Sequence, residues 1–235
     1  MADFYGEDLA AIHAEGFGQL AEAAAQEVLA FLGDEAAGAK VLDLGCGAGA
    51  LAAILAAAGA SVWGADISPA LLAIARRRVP QATFVEGSIH DLGLPAARAV
   101  CAIGEVVNYL ADPKAGDGLP AFLRRVHAAL EPGGLLLFDA AGPGRGGTRG
   151  FTEGDGWAVG AIGDESDGEL VRRITTFRLS DGGWRRAHEV HRLRLLDPAR
   201  VLNALREAGF KATATGAYGD LSLPPGLVGH KAVRS

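Results

Sequence analysis

Methionine occurs only at position 1, tryptophan and tyrosine three times each, and cysteine twice in this chain of 235 residues. Two cysteines, Cys46 and Cys101, cannot build a disulfide framework or a zinc site of their own. That points to a reducing compartment, taken as the cytoplasm. Lysine is scarce, 4 against 18 arginines, and the net charge is -6. A duplex-binding surface usually needs a basic face, so the charge balance argues against nucleic acid as partner. No run approaches the ~18 uninterrupted apolar residues of a membrane span. The opening MADFYGEDLA carries acids and no apolar stretch, unlike a signal peptide. The glycines have no three-residue period, which excludes collagen, and recurring aliphatic runs exclude disorder.

What abounds is small. Gly supplies 34 residues and Ala 46, together about a third of the chain. Over the first 140 residues, apolar periodicity alternates between strand and helix. Residues 8–32 read as helical, divided near Gly16 and Gly18. Strands are expected at 40–44, 61–65, 83–85, 99–103 and 135–139. Helices are expected at 50–58, from Ser68-Pro69 to about 78, and at 119–130. Strands joined by helical crossovers make a parallel sheet with helices on both faces. After residue 139 the pattern changes. Residues 142–168 hold ten Gly and read as a loop. Residues 169–179 and 184–196 read as a hairpin turning at Ser180-Asp181-Gly182-Gly183. A helix capped by Asp197-Pro198 and two closing strands, 211–218 and 228–233, complete the chain. The division expected is 1–34 helical, 35–140 core, 141–196 insertion and 197–235 closing elements of a single domain.

Chemistry concentrates in Val41-Leu42-Asp43-Leu44-Gly45-Cys46-Gly47-Ala48-Gly49, where a strand enters a Gly-rich turn and a helix follows. Gly permits positive φ and close approach of backbone to a ligand, and the helix start offers free N–H groups. The dinucleotide fingerprint G-x-G-x-x-G fits poorly: the third Gly comes one residue early and position 50 is Ala.

This stretch resembles motif I of the class I S-adenosylmethionine-dependent methyltransferases, and further pieces match in order. Asp66 ends the second strand 21 residues after Gly45 and is followed by Ile67. Glu86-Gly87-Ser88-Ile89 resembles the segment after strand three, and Gly104-Glu105 the segment after strand four. Leu130-Glu131-Pro132-Gly133-Gly134-Leu135 resembles the turn before strand five. The resemblance covers roughly residues 35–140 well and the closing elements more loosely. It implies an α/β, doubly wound, mostly parallel sheet of seven strands with an antiparallel edge, a Rossmann-like methyltransferase fold, here with a small antiparallel insertion. It implies S-adenosylmethionine as cofactor and S-adenosylhomocysteine as product. The implied cofactor residues are Asp43, Gly45, Cys46, Gly47, Gly49, Asp66, Ile67, Ser88, Ile89, Gly104 and Glu105. Asp66 would accept from both ribose hydroxyls. Ile67 would pack on the adenine. Ser88 stands where the family usually has Asp on the adenine amino group.

The substrate side is less defined. Asn108 and Tyr109 follow strand four, where the family places contacts to small molecules. The Asn/Asp-Pro-Pro-aromatic motif of some amino-group methyltransferases acting on bases or glutamine is missing there. Glu189 and His191 share a strand face with Leu193 and Leu195, so they are either a catalytic base pair or a satisfied pair on a strand rim. Seven arginines of the hairpin could hold an anion or RNA, or simply solvate outer faces. Tyr5, His13 and Phe17 belong to a helix that is either a lid or a flank. The expectation is methyl transfer to a small-molecule acceptor, with no metal and no membrane, by a monomer or homodimer. The alternatives are an RNA methyltransferase, a non-catalytic cofactor-binding protein and an NAD-dependent oxidoreductase.

Overall fold

A computed structural model of the chain describes residues 4–110, 112 and 118–235. Residues 1–3, where the first expected helical division begins, lie outside the described residues. Two helices, α1 (Glu7–Gly16) and α2 (Gln19–Leu32), precede the sheet. Then β1 (Lys40–Leu44), α3 (Ala50–Ala57), β2 (Ser61–Asp66), α4 (Pro69–Arg78), β3 (Thr83–Glu86), β4 (Ala97–Ala102), α5 (Gly118–Ala129) and β5 (Leu130–Ala141) alternate. The α4 start follows from its sequence: Ser68 Oγ accepts from Leu71 N at 3.2 Å, and Pro69 occupies the first turn, where a missing N–H costs nothing.

Four antiparallel strands form the insertion: β6 (Thr148–Gly154), β7 (Trp157–Ser166), β8 (Glu169–Ser180) and β9 (Gly183–Arg194). The chain closes with α6 (Pro198–Glu207), β10 (Phe210–Thr215), the short β11 (Ala217–Tyr218) and β12 (Leu221–Ser222), and β13 (Leu227–Arg234). The main sheet has seven strands in the order β10-β13-β5-β4-β1-β2-β3. β3, β2, β1, β4 and β5 run parallel, while β13 is antiparallel to both β5 and β10. The order reverses on either side of β1, so the carboxyl ends of β1 and β4 border a crevice at a switch point.

One cluster of the core lies on each face of the sheet. Val41, Cys101, Leu135 and Leu137 pack with α2 and α3 on one side. Leu42, Val100, Leu136 and Phe138 pack with α5 and α6 on the other. Burial on both faces explains the uninterrupted apolar runs of these strands. Among the described residues no helix is long and apolar enough to cross a membrane.

One expectation fails. Residues 142–168 are not a loop but carry β6 and β7. Glycine hid the pattern because it lacks a side chain to alternate. In β7, Trp157 and Val159 are buried, and they pack with Leu9 and Ile12 of α1. Gly160, next along β7 and on its other side, leaves room for Phe151 of β6, which lies 3.9 Å from where a Cβ would stand. Turns at Gly154–Trp157 and Ser166–Glu169 close the two hairpins.

Candidate active site

The site begins at the Gly-rich turn after β1. Gly45 N and Cys46 N both donate to Ala65 O at 2.7 and 3.0 Å, which ties the turn to the end of β2. Gly47 N donates to Asp66 Oδ2 at 2.8 Å, and Ser68 N to Asp66 Oδ1 at 2.9 Å. Gly45 sits at φ +72°, and a Cβ there would come within 2.5 Å of Val106. Gly47 sits at φ +51°, and its missing Cβ would point into open space. Only glycine takes that backbone cheaply, and here it leaves main chain without side-chain cover facing a cleft.

The main cleft has a cavity volume of about 150 Å³ and a neighbouring one about 60 Å³. Gly45 and Gly47 line both. Asp66, Ile67, Ile89 and Gly104 line the larger, Asp43 and Cys46 the smaller. Gly49 opens α3 at φ +75° and packs on Ala75.

The cleft is acidic. Asp43 is buried, and its Oδ2 has no hydrogen-bond partner among the described residues. Burial, with the nearby Asp66 charge adding, pushes its carboxyl up to about 7. Burial also raises Asp66, against the pull of its backbone donors. Asp112, which sequence reasoning missed, lines the larger cleft and accepts from Ser88 Oγ at 2.6 Å. Nothing in its local sequence marks it. Among the described residues no Lys or Arg lines the larger cleft, and only Arg78 lines the smaller.

The opposite wall is aromatic: Phe4, Tyr5, His13, Phe17 and Tyr109. The Tyr5 and Tyr109 side chains hydrogen-bond each other, and burial raises both phenols. Burial, with smaller contributions from Arg78 and His191, pushes His13 down to about 4, so its imidazole is neutral. α1 is fastened over the cleft by named contacts. Ser68 Oγ donates to Tyr5 O at 2.9 Å, Arg78 Nη2 donates to Ala14 O at 3.0 Å, and Asp8 pairs with Arg178 and Arg185 of the insertion.

Ser88 and Gly49 line neither cleft, and four further expected site residues sit elsewhere. Glu189 spends both carboxylate oxygens on the start of α1, accepting from Tyr5 N at 2.8 Å and Gly6 N at 3.0 Å. His191 Nε2 lies 2.9 Å from Glu189 Oε2, and the ring is buried behind Phe4, Tyr5 and Tyr109. Neither lines the cleft, and the pair ties the start of α1 to β9. Asn108 is buried as a staple: its Nδ2 donates to Ala141 O and Arg194 O, and its Oδ1 accepts from Ala141 N. Glu105 turns its buried carboxylate to Arg145 at 2.6 Å and Arg172 at 2.9 Å, and these pairs hold it below the usual range against the opposing desolvation. Below it, Asp139 accepts from Gly104 N and Glu105 N, and burial pushes it up to about 7. An acid ending a wholly apolar strand was its signal in the sequence.

Residues 41–134 match the family model described as a methyltransferase domain. The chain is 39% identical over 99 residues to an uncharacterized methyltransferase of Synechocystis sp., covering 42% of this chain and 45% of that protein. It is 32% identical over 119 residues to the malonyl-[acyl-carrier protein] O-methyltransferase of Serratia marcescens, covering 50% of this chain and 44% of that protein. The chain thus spans less than half the length of these curated relatives. Its fold matches the SAM-bound structure of CalS10, an amino pentose methyltransferase of Micromonospora echinaspora. The TM-score is 0.74 at 24% identity, over 99% of this chain and 98% of the other.

Proposed function

We propose that this chain, whose residues 41–134 belong to the methyltransferase domain family and whose whole length takes the class I methyltransferase fold, transfers a methyl group from S-adenosylmethionine to a small-molecule acceptor. The observation that carries the reading is the junction of Gly47 and Asp66. Positive-φ glycines bring backbone without side-chain cover up beside a fixed carboxylate, Asp66, and a buried acid, Asp43, whose Oδ2 has no partner among the described residues. Those residues fit the cofactor. Asp66, oriented by two backbone donors, retains lone pairs for a vicinal diol. Ile67, Leu71 and Ile89 offer apolar surface for a base. Asp43 and Asp66 favour a ligand of net positive charge, which the sulfonium confers. When bound, the cofactor supplies an activated methyl group for in-line displacement.

The chain's own contribution is positional. α1 and the aromatic wall exclude water and hold the acceptor in line, an effect worth ~7–11 kcal/mol when alignment is complete. His13 is neutral and, with its pKa near 4, is a weak base. An acceptor that attacks with an existing lone pair, such as an amine in its neutral form, needs no base before attack and loses its proton afterward. The lack of Lys and Arg along the larger cleft, among the described residues, supports a neutral or cationic acceptor over a phosphorylated one. Asp112, which lines the larger cleft and accepts from Ser88 Oγ, would offer the adenine amino group the acceptor expected of Ser88.

Isothermal titration with S-adenosylmethionine, S-adenosylhomocysteine and NAD tests the cofactor. Binding of the first two without NAD is expected, and binding of NAD alone overturns the reading. Methyl transfer from labelled cofactor to a panel of small amines, alcohols and acids, with RNA as a separate arm, tests the acceptor. Salt-dependent RNA methylation would replace the small-molecule reading.

A further inference from the structure

Most of the large apolar side chains exposed on this molecule share one surface. Phe151, Ile162, Phe177, Leu179, Trp184 and Val190 stand on the same side of the insertion sheet, with Phe151 67% and Trp184 61% exposed. Strand alternation separates this side from the one that carries α1. In β8, Leu170, Ile174 and Thr176 are buried on the inner side, while Phe177 and Leu179 point out. In β9, His191 and Leu193 are inner, and Trp184 and Val190 outer. Water contacts an antiparallel sheet's outer face without penalty when that face is polar. This one is apolar at its centre.

We propose that this outer face is where two copies of the chain meet. Four strands spaced ~4.8 Å apart, with some nine residues each at ~3.3 Å, give a projected face of roughly 500–600 Å². Standing side chains make its accessible area larger, on the scale of the ~800 Å² per partner of a standard interface. At roughly 200 Å² for a bare aromatic side chain, the exposed parts of Phe151, Phe177 and Trp184 alone offer roughly 300 Å². Aromatic residues with Arg at the margin are the composition of interface centres.

The register shows why the occupant is a second copy. Paired residues form the row Glu153–Ala158–Phe177–Arg186 across all four strands. A two-fold axis running along the strands, between β7 and β8, lays β6 on the partner's β9. It sets Glu153 against the partner's Arg186, and Arg186 against the partner's Glu153. It also sets Phe177 against the partner's Ala158. Isologous contacts of this kind are reciprocal, so one attractive pair counts twice. Two other outer arginines are already neutralised within the protomer: Arg173 pairs with Asp164, and Arg192 approaches Glu169 at 3.8 Å. Two such faces can then pack as aligned sheets with their apolar centres in contact.

Sedimentation equilibrium of the full chain at micromolar concentration tests the inference. A dimer is expected. Trp184→Ser and Phe151→Ser should each shift it toward monomer. Glu153→Arg alone, or Arg186→Glu alone, should weaken the dimer about tenfold or more, since two attractive contacts become repulsive. The double reversal should restore it. All four residues are exposed, so circular dichroism should show unchanged folding. A monomer at every concentration overturns the proposal, as does a double reversal no tighter than either single one. Binding of the monomer to anionic vesicles would assign the face to a membrane and likewise overturn it.

Discussion

Replacing Asp43 by Asn probes the central electrostatic feature of the cleft. The side chain is 3% exposed, and its carboxyl is pushed up from 3.8 to about 7, first by burial and then by Asp66. The sign follows from which state holds the proton. Between pH 4 and 7 the folded chain keeps the proton and the unfolded chain does not. The group therefore contributes stability that is present at low pH and lost as pH rises through about 7. With those two values, the ligand-free parent loses about 3 kcal/mol relative to Asp43→Asn between pH 5 and pH 9. For a domain of this size that is roughly 6–12 °C of Tm. His13 and His230, both held neutral by burial with pKa values about 4, and Asp139 titrate in parent and variant alike, so the difference isolates Asp43. The assay is thermal unfolding of both proteins, without ligand, across that range. The variant should overtake the parent as pH rises. A Tm difference that stays constant from pH 5 to pH 9 refutes the reasoning, because Asp43 would then keep one charge state throughout.

Three further substitutions test separate parts of the molecule. Asp66→Ala should abolish measurable binding of S-adenosylmethionine by titration while far-ultraviolet circular dichroism is retained; binding equal to the parent's would undo the ribose assignment. Glu189→Gln keeps the size of the side chain but weakens charge-assisted acceptance from Tyr5 N and Gly6 N, about 1–3 kcal/mol. It should speed amide exchange and proteolysis at the start of α1 and raise KM more than it lowers kcat; a large kcat fall with KM unchanged would mark it as a base instead. Glu105→Ala strands Arg145 and Arg172 at a largely buried site and should cost about 3–5 kcal/mol in urea unfolding, whereas a change under ~1 kcal/mol would show that water already satisfies these groups.

The parts legible in the sequence were those fixed by neighbours along the chain. Ser68-Pro69 and Asp197-Pro198 announced helix starts through a side-chain acceptor three residues from its donor, and both caps are present. The turn Gly45–Gly49 was readable because positive φ at close intervals leaves few alternatives to glycine. What could not be read depends on partners far away. The two-residue period set Glu189 and His191 on the inner side of their strand beside Leu193. It could not say that the start of α1, more than 180 residues earlier, supplies the donors they meet. Asn108 looked like a ligand for the same reason: a polar residue past the end of a buried strand also suits a staple to Ala141 and Arg194. In residues 142–168 the failure was of another kind, since glycine in a strand erases the alternation on which the reading relies.

The hairpin arginines show how the same period turns a composition into an electrostatic argument. As a set of seven they left anion binding and plain solvation open. The pairing register sorts them. Arg172, Arg178 and Arg185 lie on the inner side and meet Glu105 and Asp8, so their charge is spent on fixing the insertion and α1 to the core. Arg173, Arg186, Arg192 and Arg194 lie outside, and none of them lines either cleft. Neither group lines the larger cleft, whose charged side chains among the described residues are Asp66 and Asp112, with Asp43 and Arg78 in the adjoining one. A ligand entering there meets a negative field in low dielectric, where a unit charge at short range counts for several kcal/mol. Losing a methyl group from a sulfonium removes one positive charge. Under the proposed function, acids that favour a sulfonium cofactor would bind its neutral thioether product less tightly, so the arrangement that draws the cofactor in would also favour release once the methyl has left.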